Sequence, residues 1–330
     1  MEVPNVFGCQ SRFAFASVLA AAVMAIPMST PGSTQDHIKL RLGTATPGGG
    51  FPVYGAAFIA AVQEADPGLA IEAVNTKGST QNVPMLEAGS LDIALVQGEV
   101  VHEALKGVGR SPANLKIVTA MYSTPGMFVV RADSPYRTIA DLKGKRVAFG
   151  AAAGSGLVLL ARLVLDGLDL DQEKDFQAIF LERAGDGPAM VLDGRAAALW
   201  GGGLGWPGFM AVAKGEKGAR FIVPDTAEIA RILAKHEFLK PLTLPAGSFP
   251  GQDHAVNSVG SWSFVMSRSD LEEALAYRLA KAIHMSEAAI AARLPQAAET
   301  TARNTAAAAA DPALLHPGVR RYLREVGLVK

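Results

Sequence analysis

A strand that runs into a glycine cluster and on into a helix, at residues 38–54, sets the tightest limit on how this chain folds. Ile38, Leu40 and Leu42 alternate with Lys39 and Arg41, the period of a half-buried strand. Gly48, Gly49 and Gly50 follow, and Pro52 opens a helix where its missing N–H would have no partner anyway. The glycines let backbone approach a ligand closely, and the unpaired N–H groups of a helix start suit a carboxylate or another anion. The segment has no Lys-Ser/Thr ending, so it is not a nucleoside-triphosphate loop.

The same alternation continues along the chain. Strands are predicted at 70–75, 91–96, 115–121 and 127–130, with helices at 79–88 and 99–106. A second set follows, with a short helix at 139–142, a strand at 146–149, a glycine loop at 150–156 and a helix at 157–166. Strands at 178–181, 196–200 and 219–223 then alternate with helices at 188–192 and 206–213. The Pro/Gly-rich stretch 241–252 reads as a long excursion, after which a strand at 262–266 leads into terminal helices from 271. This pattern predicts α/β layers with parallel sheets in two lobes. Each lobe begins with a strand, a glycine loop and a helix start, and ligands bind outside the carboxyl ends of such strands.

Composition narrows the partners. The 330 residues are 49% hydrophobic, with 31 basic and 31 acidic side chains, so charge gives no reason to expect nucleic acid or an anionic membrane surface. An uncharged apolar run at 13–26, followed by a Ser/Thr/Pro/Gly stretch, has the form of an export signal ending near residue 31, which predicts a periplasmic, soluble mature chain. Cys9, the single cysteine, precedes that run and would leave with it, so no disulfide, thiolate metal site or Cys nucleophile is expected. The six histidines, His37, His102, His236, His254, His284 and His316, show no i, i+3 or i, i+4 pairing, so neither metal nor cofactor is expected.

Several constellations carry possible chemistry. Ser155 opens a helix within Gly154-Ser155-Gly156 and either caps it or donates to a ligand; no G-x-S-x-G or partner spacing marks a nucleophile. Residues 203–208 spell G-x-G-x-x-G after a strand, with Asp225 placed like a ribose-binding acid. Its late position and the bulk of Trp206 and Pro207 favour a glycine-rich turn that shows Trp206 to a cleft. Phe51, Tyr54, Tyr122, Trp200 and Trp206 fall at or beyond strand ends and suggest an aromatic component to the ligand surface. Ser79, Asn82 and Gln97 are neutral polar groups suited to orienting a small ligand, and Arg183 and Asp186 follow a strand and face either cleft or solvent.

An ordered set of motifs carries a family likeness over residues 38–328. It comprises Gly43-Thr44 with Gly48–Gly50, Gly78-Ser79-x-x-Asn82, Leu86-x-x-Gly89, the run from Asp92 to Gln97 and Asp141-Leu142-x-Gly144-Lys145-x-Val147. Gly154-Ser155-Gly156, Asp193-Gly194, Gly203 with Pro207, Pro245-Ala246-Gly247, His316-Pro317-Gly318 and Tyr322-x-x-Glu325 complete it. With these the chain resembles the TAXI proteins, solute-binding subunits of TRAP transporters. The resemblance implies an α/β, two-lobed periplasmic-binding-protein (type II) fold with a ligand cleft between the lobes. The lobes are expected at 38–125 plus 264–330 and at 126–263. It further implies a monomeric, non-enzymatic receptor that delivers a small organic anion to ion-gradient-driven permease subunits.

The site expected from the motifs comprises Thr44, Thr46, Gly49, Gly50, Phe51, Tyr54, Ser79, Asn82, Gln97 and Tyr122 from one lobe. From the other it takes Ser155, Gly156, Leu157, Arg183, Gly203, Trp206 and Pro207. Departures from the family pattern occur at Thr46-Pro47, Phe51-Pro52, Phe249 and Leu157, where a Thr usually follows Gly-Ser-Gly. Losing that hydroxyl points to a carboxylate less polar than glutamate. An ABC-importer receptor of the thiamine-precursor or sulfonate type is the alternative on the same fold, and an NAD(P)-binding enzyme a more distant one. A porphobilinogen-deaminase-like enzyme would need a cofactor-holding cysteine that the mature chain lacks.

Overall fold

The computed structural model describes residues 38–309 and 311–330. The expected export segment at 13–26, Cys9, His37 and Ala310 lie outside the described residues. The first half contains β1 (Ile38–Gly43), α1 (Gly50–Ala65), β2 (Leu69–Val74), α2 (Ser79–Glu87), β3 (Ile93–Gln97), α3 (Gly98–Lys106) and β4 (Leu115–Arg131). Next come β5 (Arg146–Ala148), α4 (Gly156–Asp166), β6 (Gln177–Ile179), α5 (Asp186–Leu192), β7 (Ala198–Gly202) and α6 (Pro207–Ala213). β8 (Ala219–Ile222), α7 (Thr226–Lys235), β9 (Lys240–Leu244) and β10 (Val256–Arg268) follow. The chain closes with α8 (Glu273–Met285), α9 (Glu287–Arg293), α10 (Ala302–Ala308) and α11 (Pro317–Glu325). Among the described residues no helix is long and apolar enough to cross a membrane.

Strand order along the sheet is β2-β1-β3-β10-β4-β7-β5-β6, with β8 beside β4 and β9 beside β10. β1 runs parallel to β2 and β3, and β5 runs parallel to β6 and β7, as helix crossovers require. The two parallel groups are joined through β4 and β10. Leu115 to Pro125 of β4 pair antiparallel with β10, while Gly126 to Arg131 pair with β7 and β8. β10 likewise pairs with β3 over its second half and with β9 over its first. Its register with β4 shifts twice between Trp262 and Met266, where bulges bend the ribbon.

Burial follows the two-residue strand period. In the part of the sheet around β5 and β7, Phe128, Val130, Val147, Phe149, Ala198 and Trp200 pack into a core with α4 and α7. Met127, Val129, Ala148 and Leu199 point to the opposite face and pack with α5 and α6. Around β1 and β3, Leu42, Phe58, Leu95 and Val265 share a core with residues of α1, α8 and α11.

Three sequence expectations are corrected. The strands expected at 115–121 and 127–130 are one strand, β4, because Pro125 and Gly126 mark a change of partner rather than a break. The excursion at 241–252 begins as β9, which pairs with β10. Asp225, read as a possible ribose acid, is instead the N-cap of α7. Its carboxylate accepts from Glu228 N while Glu228 accepts from Asp225 N, a capping box.

Candidate functional site

The carboxyl ends of β1, β2, β3, β5 and β7 all open onto one cavity of about 60 Å³. That placement is what parallel strands with crossover helices produce: each strand ends where the next helix starts. The starts of α1, α2, α3 and α4 therefore converge. The N-caps of the first three, Gly49, Gly78 and Gln97, form no side-chain cap, although in α2 Thr80 N donates to Gly154 O and Gln81 N to Gly78 O. Four helix dipoles directed at one space favour negative charge there.

Of the expected site residues, the structure brings eleven to the cavity wall. Thr46, Gly49, Gly50 and Phe51 come from the first glycine loop and its helix, Ser79 from α2, Gln97 from the end of β3 and Tyr122 from β4. Ser155, Gly156 and Leu157 come from the start of α4, and Trp206 from the turn after β7. Ala45, Gly78, Thr124, Gly150, Ala151 and Gly202 also line it and were missed. Thr124 was the legible one, since it lies two residues after Tyr122 in the same strand and shares its face. No lining residue carries a charged side chain.

The remaining six stand back from the wall. Asn82 is fully buried, and its amide bonds all run to the protein. Nδ2 donates to Thr44 O and Leu95 O, both at 2.8 Å, and Oδ1 accepts from Thr76 Oγ1 at 2.7 Å. It ties the ends of β1 and β3 and the loop after β2 together, which holds the first-lobe loops in place. Thr44 Oγ1 donates to Val74 O at 3.1 Å. Tyr54 lies behind Tyr122, ring centroids 5.5 Å apart, and its hydroxyl meets Thr300 Oγ1 at 3.2 Å. Arg183 is exposed, Gly203 takes a left-handed φ of 92° in the turn, and Pro207 begins α6.

What reaches into the cavity is a set of neutral donors. Thr46 Oγ1, Gln97 Nε2 and Thr124 Oγ1 are buried and have no hydrogen-bond partner within the protein. Such groups are costly to leave unpaired, so an occupant that accepts from them gains accordingly. Ser79 Oγ accepts from Gln97 N at 3.0 Å and Ser155 Oγ from Val158 N at 3.2 Å, leaving each hydroxyl proton to donate elsewhere. Burial, with Tyr54 beside it, raises the Tyr122 phenol, which stays protonated and so remains a donor. Phe51 meets Tyr122 edge-on at 6.5 Å, and with Leu157 and Trp206 they give the wall an apolar part.

The walls touch across the cavity. Thr80 N donates to Gly154 O at 3.2 Å, its hydroxyl donates to the same carbonyl, and Ala184 N donates to Pro47 O at 3.3 Å. A Cβ on Gly156 would stand 2.5 Å from Gln97 Cβ, so only glycine permits this approach. A Cβ on Gly78, at φ 111°, would stand 3.1 Å from Ser155 Cα.

One residue behind the wall escaped the sequence reading. Glu99, the second residue of α3, is fully buried; Ser261 Oγ donates to its Oε1 at 2.8 Å, and Oε2 has no partner. Burial pushes its carboxyl up to about 7. Its own backbone N–H, Ser261 and the neighbouring Gln97 amide pull the other way, although Gln97 Nε2 stops short of hydrogen-bond geometry. An acidic residue directly after the strand-ending Gln97-Gly98 was the available signal.

The model of the NMT1-like family matches residues 42–327. A solved structure from Bordetella bronchiseptica RB50 is 14% identical, covering 88% of this chain and 98% of that one, with a TM-score of 0.56. A structure described as a periplasmic transporter is also 14% identical, covering 78% and 87%, with a TM-score of 0.52. The periplasmic aliphatic sulphonate binding protein SsuA from Escherichia coli is 20% identical over 87% and 82%, with a TM-score of 0.48. The fold is the two-lobed one of periplasmic solute-binding proteins.

Proposed function

The chain belongs to the NMT1-like family, and from that premise we propose that it is an extracytoplasmic solute-binding protein. It captures one small organic anion and hands it to a membrane permease. The observation that carries this reading is the cavity itself. Four helix starts and three unpartnered buried donors meet in a space with no charged side chain. Such a wall stabilises negative charge without a counter-ion. It holds no acidic side chain to pair an ammonium group, which favours a carboxylate with an apolar or neutral tail over an amino acid. Binding rather than turnover fits Ser155, whose oxygen caps α4 and has no base beside it in the lining.

The narrower resemblance, to TAXI subunits of TRAP transporters, supports a monomer exported by residues 1–31, with lobes at 38–125 plus 264–330 and at 126–263. The alternative partner is an ABC importer. Reconstituted uptake driven by an ion gradient, as against ATP, separates the two.

Thermal-shift screening of the protein against keto acids, aromatic and aliphatic carboxylates, sulfonates, amino acids and NAD(P) tests the receptor reading. A ligand at a hundred times its dissociation constant stabilises by about 2.7 kcal/mol, several degrees for a chain of this size. A shift confined to small carboxylates or sulfonates is the expected result. A shift with NAD(P) alone would overturn it in favour of an enzyme.

A further inference from the structure

Glu99 is the one Asp, Glu, Lys or Arg among the described residues that is buried. Its surroundings are poor for a charge: Ser261 and its own backbone N–H are the neutral donors it has, and Oε2 has no partner. A carboxylate in such a place is destabilised, whereas the protonated acid is tolerated. Two residues earlier stands Gln97, whose unpartnered Nε2 belongs to the cavity wall. The Gln97 amide acts on the Glu99 carboxyl and also belongs to the cavity wall, and one amide cannot serve two anions well.

We propose that the cavity takes up its anion together with one proton, and that Glu99 is the positioning residue on which the proton is held. The inference rests on the receptor reading above. An ionised Glu99 and a bound anion would be like charges in a medium of low dielectric, so each disfavours the other. By reciprocity, whatever makes the anion raise proton affinity at Glu99 also makes the proton raise anion affinity. With Glu99 neutral, the Gln97 amide is free to donate to the ligand.

The charged groups around Glu99 do not cancel this effect. On its own helix stand His102, Glu103 and Lys106, and Glu103 adds a second like charge that favours the neutral acid. From α4, Arg162 faces Glu103, while Asp166 bonds Lys235 and His236. From α2, Glu87 is held by Arg110; β10 brings Ser261 and Trp262 nearby and Arg268, paired to Asp270, at its far end. β3 brings only apolar residues and Gln97. Burial places the carboxyl titration near neutrality, where this coupling is visible.

Pyruvate and benzoate, monocarboxylates with uncharged tails, are the probes, read through fluorescence of Trp206 on the cavity wall. Uptake of one proton near pH 7 weakens wild-type binding about 30-fold between pH 6 and 8.5. Glu99→Gln, an isostere of the neutral acid, should bind at pH 8.5 as tightly as wild type does at pH 6, with no pH dependence. Calorimetry of the wild type at pH 8, in buffers of different ionisation enthalpy, should give close to one proton taken up per ligand, and needs no variant to fold. Pyruvate or benzoate binding with equal affinity at pH 6 and 8.5, without proton uptake, overturns the proton site and leaves the receptor standing. Failure of both to bind at pH 6 overturns the monocarboxylate receptor and the proton site with it.

Discussion

Asn82 and Glu99 show how far single residues can be read from a sequence. Asn82 was legible as a polar group near the site, but its role is to bind backbone: its donor bonds at 2.8 Å go to the carbonyls of Thr44, just after β1, and Leu95, within β3. Nothing in its spacing separates a ligand contact from a brace, because both need a buried amide. Glu99 was illegible for the opposite reason. A Glu in the first turn of a helix is ordinarily a solvated charge that favours the dipole, and only the packing of β10 over α3 removes its water. That burial has a consequence for stability. The carboxyl titrates near 4.5 when unfolded and near 7 when folded, so the folded state prefers the proton. Below pH 4.5 the acid is neutral in both states and destabilises nothing. As pH rises through the folded value, the fold loses roughly 3 kcal/mol relative to a neutral side chain, and the loss is constant above it. Glu99→Gln should therefore melt several degrees above wild type at pH 8 and level with it at pH 4, by calorimetry. An equal offset at both pH values would contradict this account.

At the scale of elements, strands and helices were read well wherever period and turn chemistry agreed, as in β1 with α1 and β5 with α4. α7 went unnoticed although Asp225 and Glu228 spell a capping box, because Asp225 also suited a dinucleotide pattern. β4 was divided in two because Pro125-Gly126 looks locally like a turn. In the sheet these residues are where the strand leaves β10 for β7 and β8. The approach of α4 to β3 yields a test. Gly156→Ala places a methyl 2.5 Å from Gln97 Cβ and 3.0 Å from Ser79 Oγ, with backbone on either side fixed by other bonds. Alanine is the better helix former, but the clash opposes it in the arrangement described, so the melting temperature should not rise and should fall by a few degrees. Carboxylate affinity should also fall by about tenfold or more, since one contact group of roughly 1.4 kcal/mol is enough for that. Unchanged affinity would show that the two walls need not approach so closely.

For the molecule as a whole, the cavity lies where two parallel strand groups face each other and β4 and β10 connect them. The Thr80–Gly154 and Ala184–Pro47 bonds link the two walls, and they would have to open if the walls part. A ligand that touches both walls then favours the closed arrangement by population shift. Small-angle scattering should show a smaller radius of gyration with bound carboxylate than without; identical profiles would remove the closure reading. The sequence by itself determined the α/β class, the glycine loops at helix starts and the uncharged chemistry of the residues set there. These follow from side-chain period, turn propensity and residue type, all local properties. Only the tertiary structure decided that Gln97, Thr124 and Trp206 share one cavity, that Asn82 turns away from it, and that Ser261 covers Glu99. Those relations join residues far apart in the chain through the order β3-β10-β4-β7, and sheet order depends on how whole hydrophobic faces pack together rather than on any local pattern.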